Sequence, residues 1–148
     1  FDSPGVNESA FTADGFYKMG DVVRLVDGDI YLEGRKKDLI NRGGEKISSE
    51  EVENFIVAHP AVHSACVVSM PDVVFGEKAC AFVMLRDGMT LDFDELSSFL
   101  IARGIAKFKL PERLELVSEF PMSPAGKVLR RDLRSLIAEK LAAERGAM

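Results

Sequence analysis

The strongest constraint on the fold is an alternation of capped helices and apolar strands that begins after Gly34. Ser48-Ser-Glu-Glu51 is a capping box that predicts the start of a helix. Asp92 is placed to cap a second helix, and Gly104 stands where a helix commonly ends. Three segments have the β-branched and apolar composition of strands, namely 62–70, 78–85 and 113–117.

A further helix is predicted near the end of the chain by an apolar stripe at helical spacing, formed by Leu129, Leu133, Leu136, Ile137 and Leu141. The order of elements predicts an α+β fold in which a small three-stranded sheet is covered by helices.

Residues 22–33 predict a β-hairpin, because two short apolar runs flank Asp27-Gly-Asp29. Residues 1–21 are loop-like and rich in Gly, Asp and Ser. A single hairpin is only marginally stable in water, so we expect it to have packed on a larger body. Because the chain also opens without a methionine, inside this loop-like stretch, we expect it to be a fragment.

Net charge, cysteine placement and the length of apolar runs exclude some classes of function. The chain of 148 residues carries a net charge of −5, which argues against nucleic acid or an anionic membrane surface as a partner. Cys66 and Cys80 lie in apolar runs and are predicted to be buried free thiols, which suits a reducing cytoplasm. His59 and His63 are predicted to be structural, and no apolar run reaches the roughly 18 residues of a membrane span.

A basic stretch, residues 34–47, lies between the hairpin and the first capped helix and contains the adjacent glycines Gly43 and Gly44. Glycines allow close backbone approach to a ligand, and cations favour phosphate oxygens. A solvated turn would have the same composition, and the stretch matches neither of the two common glycine-rich nucleotide motifs.

A glycine-lysine turn, Gly126-Lys127, directly precedes the last predicted helix within the segment 121–130. A lysine at the start of a helix is a candidate for chemistry on an anionic substrate, although an ordinary surface lysine would fit the same pattern.

Taken together, Gly20-Asp21, residues 34–47 and residues 121–130 resemble, in this order, the last three core motifs of adenylate-forming enzymes. That superfamily includes acyl-CoA synthetases, adenylation domains of nonribosomal peptide synthetases and luciferases. The resemblance covers essentially the whole chain. Within the superfamily the text is most similar to the 2,3-dihydroxybenzoate-AMP ligases, through strings such as Ile40-Asn-Arg-Gly-Gly-Glu-Lys-Ile47 and 103–111.

The resemblance implies a two-step ligase. A carboxylic acid and ATP with Mg²⁺ give an acyl-adenylate and pyrophosphate, and a phosphopantetheine thiol of a carrier protein or of CoA then takes the acyl group. Residues 1–36 would be the end of a large N-terminal domain, and residues 37–148 a mobile C-terminal subdomain. The glycine-rich phosphate loop and the acid pocket would lie in that large domain. We therefore expect the fragment alone to be inactive, and we expect its sequence not to reveal which acid is used.

The resemblance also assigns roles in the first step. Lys127 matches the catalytic lysine that bridges the substrate carboxylate and the α-phosphate. Asp21 would accept hydrogen bonds from the ribose hydroxyls, Arg35 would lie near ribose and phosphate, and Lys46 would contact phosphate. Lys37 falls at the hinge, where many relatives have Asp. No residue is assigned to a metal.

In the second step the Gly43-Gly44 segment would line the tunnel through which the pantetheine arm enters. Arg42 and Lys78 are candidates for contact with CoA phosphates or with an acidic carrier protein, and a solvated surface remains the alternative.

Three functional interpretations stay open from the sequence. The first is an aryl-acid ligase that passes its product to an aryl carrier protein in siderophore biosynthesis. The second is an acyl- or aryl-CoA ligase, and the third is a non-catalytic interaction module.

Overall fold

The computed structural model describes residue 5 and residues 9–146. The chain divides into two compact units, Phe1–Lys37 and Asp38–Met148, called here the N-terminal unit and the C-terminal unit. The loop-like interpretation of residues 1–21 therefore lies partly outside the described residues. Among the described residues no helix combines the length and the apolar character that crossing a membrane requires.

The N-terminal unit contains the predicted β-hairpin. Strand β1 (Asp21–Val26) pairs antiparallel with β2 (Asp29–Arg35). The two turn residues, Asp27 and Gly28, have φ of 52° and 93°, as a type I′ turn requires, and the Asp-Gly pair tolerates this backbone. Apolar side chains of the hairpin are exposed within this chain, among them Leu25 (70%), Ile30 (71%) and Leu32 (65%).

The C-terminal unit is built on a five-stranded sheet. Its strands are β3 (Leu39–Arg42), β4 (Glu45–Ser48), β5 (Val62–Asp72), β6 (Gly76–Leu85) and β7 (Arg113–Leu116). The hydrogen-bonded order is β4-β3-β6-β5, and β7 pairs with β6. All pairings are antiparallel except β6 with β7, which is parallel.

Three helices cover this sheet: α1 (Ser49–Val57), α2 (Phe93–Ala102) and α3 (Arg130–Gly146). Alternate residues of β5 point to opposite faces, and the core divides accordingly. One cluster holds Val67 and Ala81 with the inner residues of α1 and α2, Val52, Ile56, Leu96 and Leu100. The other holds Cys66, Val68, Cys80 and Phe82 with Leu133 and Ile137 of α3. Helices α1 and α2 therefore cover one face, and α3 covers the other.

The predicted α+β class, the sheet covered by helices and the two helix caps are confirmed. Ser48 Oγ accepts the backbone N–H of Glu51 at 3.3 Å, and Asp92 Oδ1 accepts that of Glu95 at 2.8 Å. Gly104 follows α2 with φ of 84°. The predicted strands appear as β5, β6 and β7.

The sheet has two strands more than the predicted three, because the basic stretch folds into the β3–β4 hairpin. Ile40 and Ile47 face each other in this hairpin and are fully buried. The remaining side chains of both strands are polar or charged, apart from Leu39, so the strand pattern is weak. The Gly-Gly pair between two short runs was the signal of a two-residue turn.

The predicted burial of both cysteines is confirmed, since Cys66 and Cys80 are free and 2% and 0% exposed. Burial raises the pKa of each thiol to about 12, which makes them poor nucleophiles. His59 is buried, and its Nδ1 accepts the backbone N–H of Ala61 at 3.2 Å.

Candidate functional site

The Lys127 side chain extends from a tightly bonded turn, Ser123–Lys127. The backbone N–H of Ser123 donates to the carbonyl of Lys127 at 2.8 Å, and that of Gly126 donates to the carbonyl of Ser123 at 2.9 Å. Ser123 Oγ accepts the backbone N–H of Lys127 at 3.1 Å. Gly126 takes a φ of 74°, which favours glycine. The turn fixes the Lys127 backbone, while its side chain is exposed.

No carboxylate of the described residues forms an ion pair with the Lys127 ammonium. Its three donors are therefore available to an anionic ligand. On either side of the turn, Met122 and Val128 form an antiparallel bridge, and Leu129 N–H donates to the Pro121 carbonyl at 2.8 Å.

Directly after this bridge, Arg130 begins α3 and is held by a two-pronged ion pair. Its Nη1 and Nη2 donate to Oε1 and Oε2 of Glu53 at 2.6 and 2.8 Å. Nη1 also donates to the carbonyl of Val67 at 2.8 Å. Burial alone would lower the pKa of Arg130, but the hydrogen bonds and charge of Glu53 raise it above its usual range. Arg130 is therefore a fixed cation.

In the N-terminal unit the structure brings Asp21 and Arg35 together. They are register partners at the end of the β1–β2 ladder, and Arg35 Nε lies 3.5 Å from Asp21 Oδ1. The Arg35 side chain is 61% exposed and that of Asp21 is 22% exposed. At the same point Lys36 N–H donates to the Gly20 carbonyl at 2.8 Å, which closes the base of the hairpin.

Lys37 is the last residue of the N-terminal unit and lies in the short 3₁₀ turn Lys36–Asp38. The next residue, Asp38, is fixed on the C-terminal unit. Its carbonyl accepts Ser49 Oγ at 2.7 Å, and its Oδ1 accepts Arg134 Nη2 at 3.0 Å. The chain thus passes from one unit to the other next to a residue that is anchored on α1 and α3.

The Gly43-Gly44 pair forms the two-residue turn of the β3–β4 hairpin, with φ of 57° and 102°. Gly43 N–H donates to the Phe75 carbonyl at 2.9 Å. A Cβ on Gly43 would lie 2.9 Å from Phe75 Cδ1, closer than side chains tolerate, whereas one on Gly44 would meet nothing within 4 Å. Gly43 is therefore required by its neighbour as well as by its backbone.

Arg42 and Lys78 both lie over the Phe75 ring. The guanidinium carbon of Arg42 is 4.0 Å from the ring centroid, and Lys78 Nζ is 5.5 Å from it. Arg42 Nη2 donates to Glu112 Oε1 at 2.8 Å, and Lys78 Nζ is 3.0 Å from Asp72 Oδ2. These two cations are therefore already paired.

These contacts shift the pKa values of Asp72 and Arg42. The backbone N–H of Phe75 and the Lys78 ammonium lower the pKa of Asp72 to about 2. The hydrogen bond to Glu112 raises the pKa of Arg42. Both ion pairs therefore persist at neutral pH.

Lys46 is exposed on the edge strand β4, opposite Asn41. Its position follows from the alternation of the strand, since the next residue, Ile47, points into the core.

Sequence reasoning missed Phe75, Glu112 and Glu53. Phe75 carried a weak signal, because it is an aromatic residue in a turn whose Asp72 caps the backbone N–H groups of Val74 and Phe75. Glu53 and Glu112 carried none, since their arginine partners are 77 and 70 residues away in the chain.

One cavity of the C-terminal unit is lined by none of the candidate residues. That cavity is an open cleft of about 810 Å³ at the C-terminal end of β6, and the residues that line it include His63, Arg86 and Ser118. In the part of the chain that the structure describes, no three His, Cys, Asp or Glu side chains are grouped so that they could hold a metal ion.

Residues 51–127 match the family described as the AMP-binding enzyme C-terminal domain. The chain is 54% identical over 138 residues to the 2,3-dihydroxybenzoate-AMP ligase of Bacillus subtilis, covering 93% of this chain and 25% of that protein. It is 51% identical over 141 residues to pyochelin synthase PchD of Pseudomonas aeruginosa, covering 95% of this chain and 26% of that protein.

Among solved structures, the o-succinylbenzoate CoA synthetase (MenE) of Bacillus subtilis, in complex with the acyl-adenylate intermediate OSB-AMP, superimposes with a TM-score of 0.81 at 31% identity. The match covers 90% of this chain and 27% of that one. The chain thus spans about a quarter of the length of the relatives it matches. These matches confirm the resemblance drawn from the motifs: the chain belongs to the AMP-binding enzyme C-terminal domain family and is similar to the aryl-acid adenylating enzymes within it.

Proposed function

We propose that this chain is the C-terminal part of an ATP-dependent ligase that activates an aryl carboxylic acid such as 2,3-dihydroxybenzoate. The proposed product is an aryl thioester on a carrier protein, in siderophore biosynthesis. The observation that carries the proposal is Lys127, an exposed ammonium on a fixed turn without an anionic partner among the described residues. The identity of 54% to a 2,3-dihydroxybenzoate-AMP ligase supports the choice of acid.

In the first step a carboxylate oxygen attacks the α-phosphorus of ATP, and the bond to the bridging oxygen of pyrophosphate breaks. Both reactants are anionic, so repulsion and developing charge have to be offset by cations placed in advance. The Lys127 ammonium would bridge the acid carboxylate and the α-phosphate oxygens. Its three donors on a flexible stem suit a centre whose geometry changes during transfer.

The nucleotide would be held partly by the N-terminal unit. Asp21 would accept hydrogen bonds from the ribose hydroxyls, with Arg35 beside it, and Lys46 would contact phosphate. Mg²⁺, when bound with ATP, supplies further neutralisation of phosphate charge. We assign it no ligand in this chain, and expect the N-terminal domain of the intact protein to hold it.

In the second step the pantetheine thiol loses its proton and attacks the acyl carbon, and AMP leaves. We propose that rotation of the backbone at Lys37 removes Lys127 from the nucleotide and brings up the Gly43-Gly44 turn. The fixed position of Asp38 on the C-terminal unit supports a hinge on the Lys37 side. Small residues at the turn would let the pantetheine arm pass, with Arg42 and Lys78 facing the acceptor.

The test of the first step is acid-dependent exchange of pyrophosphate into ATP by the intact protein, with panels of benzoates, fatty acids and amino acids. We expect hydroxylated benzoates to support the fastest exchange. Exchange with fatty acids or amino acids and none with benzoates would reject the aryl acid. No exchange with any acid would leave the interaction module as the function, and a glycine-rich phosphate loop encoded upstream would exclude that module.

A second candidate is an aryl-CoA ligase, which is favoured by the similarity to a CoA synthetase of known structure. The two candidates are separated by offering the intact, adenylate-loaded protein either free CoA or a phosphopantetheinylated aryl carrier protein. We expect transfer to the carrier protein. Efficient transfer to CoA with none to the carrier would establish the CoA ligase instead.

A further inference from the structure

Helices α1 and α3 cover opposite faces of the sheet, and one ion pair joins them around its edge. Glu53 projects from α1 and Arg130 from the first turn of α3. The strand between them is β5, whose one strand partner among the described residues is β6, so β5 is an edge strand of the sheet. The two side chains meet at Val67, the middle residue of β5.

The ion pair makes the hydrogen bonds at the open edge of β5 that a neighbouring strand would otherwise make. The backbone N–H of Val67 donates to Glu53 Oε1 at 2.6 Å, and the Val67 carbonyl accepts Arg130 Nη1 at 2.8 Å. Both polar groups that the strand edge leaves open at this residue are thereby satisfied. The Glu53 side chain is 13% exposed and that of Arg130 is 25% exposed, so loss of either partner leaves a largely buried charge without its counterion.

This contact lies at the base of the Lys127 turn. Only two residues, Val128 and Leu129, separate Lys127 from Arg130, and both are bonded across to the incoming segment at Met122 and Pro121. The Lys127 ammonium has no ion-pair partner of its own among the described residues. Its position therefore depends on how the base of the turn is held, which is by the packing of Val128 on the core cluster under α3 and by the contacts of Arg130.

We propose that Glu53 and Arg130 are positioning residues for Lys127, which act by fixing the base of its turn to the edge of β5. The inference rests on the proposed function. It predicts that the pair serves the adenylation step alone, since Lys127 takes part only in that step. A pair that merely stabilised the fold would affect both steps alike.

The chain offers a matched control at the other end of the same helix. Arg113 on β7 makes a two-pronged ion pair with Glu144 of α3, at 2.8 and 2.6 Å. The Arg113 side chain is 25% exposed, as is that of Arg130. Glu144→Gln therefore removes a two-pronged contact between α3 and the sheet, more than three helical turns away from Lys127. Glu144 is the more exposed carboxylate, at 52% against 13% for Glu53, and Arg113 keeps Glu115 as a partner, so this control reports the loss of an α3 contact and not the loss of a buried one.

The experiment compares Glu53→Gln, Arg130→Lys and Glu144→Gln in the full-length protein, with Lys127→Ala alongside. Pyrophosphate exchange reports adenylation, thioester formation from preformed aryl-adenylate reports the second step, and thermal unfolding reports stability. We expect kcat for exchange to fall about tenfold or more in Glu53→Gln, since a displacement of about 1 Å can cost up to about 100-fold. Thioester formation should stay within about twofold, and Glu144→Gln should leave both steps near wild type.

A double variant separates positioning from stability. In the Lys127→Ala background, Glu53→Gln should cause no further loss of exchange, because the residue it positions is gone. Arg130→Lys keeps the positive charge and one hydrogen bond, so we expect it to fold and to lose less exchange than Glu53→Gln. It is the variant that tests the inference if Glu53→Gln unfolds at the assay temperature. Equal losses in both steps, additive losses in the double variant, or unchanged exchange in a folded variant would overturn the inference. If Lys127→Ala itself left exchange unchanged, the catalytic role of Lys127 would fail first.

Discussion

The Ser123–Lys127 turn and the Gly43-Gly44 turn both belong to the C-terminal unit, yet they present charge in opposite ways. The first exposes the Lys127 ammonium, which has no ion-pair partner among the described residues. The backbone of this turn is bonded to Ser123 and is followed directly by the anchored Arg130. The second is flanked by Arg42 and Lys78, which already have Glu112 and Asp72 as partners.

The difference indicates two kinds of surface. An unpaired cation can take up the charge that develops in phosphoryl transfer without first breaking a bond in the protein. Paired cations around Phe75 gain less from a new anion than Lys127 does, because they must share it with, or exchange it for, a partner they already have. That surface instead offers small residues, which suit the passage of a neutral pantetheine arm.

Lys127→Ala should lower pyrophosphate exchange by the intact protein at least about 100-fold, equivalent to about 2.7 kcal/mol of lost transition-state stabilisation. The control is Arg131→Ala, which removes an 87% exposed cation four residues further on. That variant should exchange at the wild-type rate. Similar losses in both variants would mean that general surface charge, and not the turn, supports adenylation.

Gly43→Ala should slow thioester formation about tenfold while exchange is retained, because the new Cβ would lie 2.9 Å from Phe75 and displace the ring or the turn. Gly88→Ala is the matched control, since Gly88 also has a positive φ, of 73°, but no atom within 4 Å of its Cβ position. Equal effects of the two substitutions on thioester formation would show that backbone strain alone is responsible.

Arg42→Ala should raise the KM for the carrier protein by about three- to tenfold and leave exchange unchanged, as loss of a charge at the edge of an interface commonly does. Arg103→Ala is the control, because Arg103 also lies over an aromatic ring, 5.3 Å from the Phe99 centroid, on a different surface. An unchanged KM in Arg42→Ala would restrict that residue to its contacts with Glu112 and Phe75.

Asp72→Asn should destabilise the chain only where the carboxylate is ionised. The folded-state pKa of about 2 lies below the ordinary 3.8, so the stabilisation is present above pH 3.8 and is lost as the pH falls through 2. Urea unfolding of wild type and variant between pH 2 and 6 measures the difference. A difference that stayed constant down to pH 2 would show that the charge of the Asp72 carboxylate, stabilised by the Phe75 N–H and by Lys78, does not account for it.

Local signals in the sequence predicted much of the fold. The capping box at Ser48, the cap at Asp92 and the Asp27-Gly28 turn each act within a few residues, and all three form as predicted. The β3–β4 hairpin escaped because only Ile40 and Ile47 have their side chains in the core, and two buried residues in strands of four do not establish an alternation.

The candidate site divides in the same way. Lys127, Asp21 and the glycines were found because each belongs to a short motif whose residues are neighbours in the chain. The Glu53–Arg130 and Arg42–Glu112 ion pairs join residues at least 70 positions apart. Such pairs follow from how the strands and helices pack, which no local pattern specifies.

One measurement tests most directly whether the Lys127 turn serves adenylation and the Gly43-Gly44 turn serves thioester formation. It is single-turnover thioester formation by Lys127→Ala, started from preformed aryl-adenylate in the intact protein. If Lys127 serves only adenylation, the variant should form the thioester within about threefold of the wild-type rate while its exchange is at least about 100-fold lower. A loss of thioester formation as large as the loss of exchange would contradict the assignment of the two turns to two separate steps.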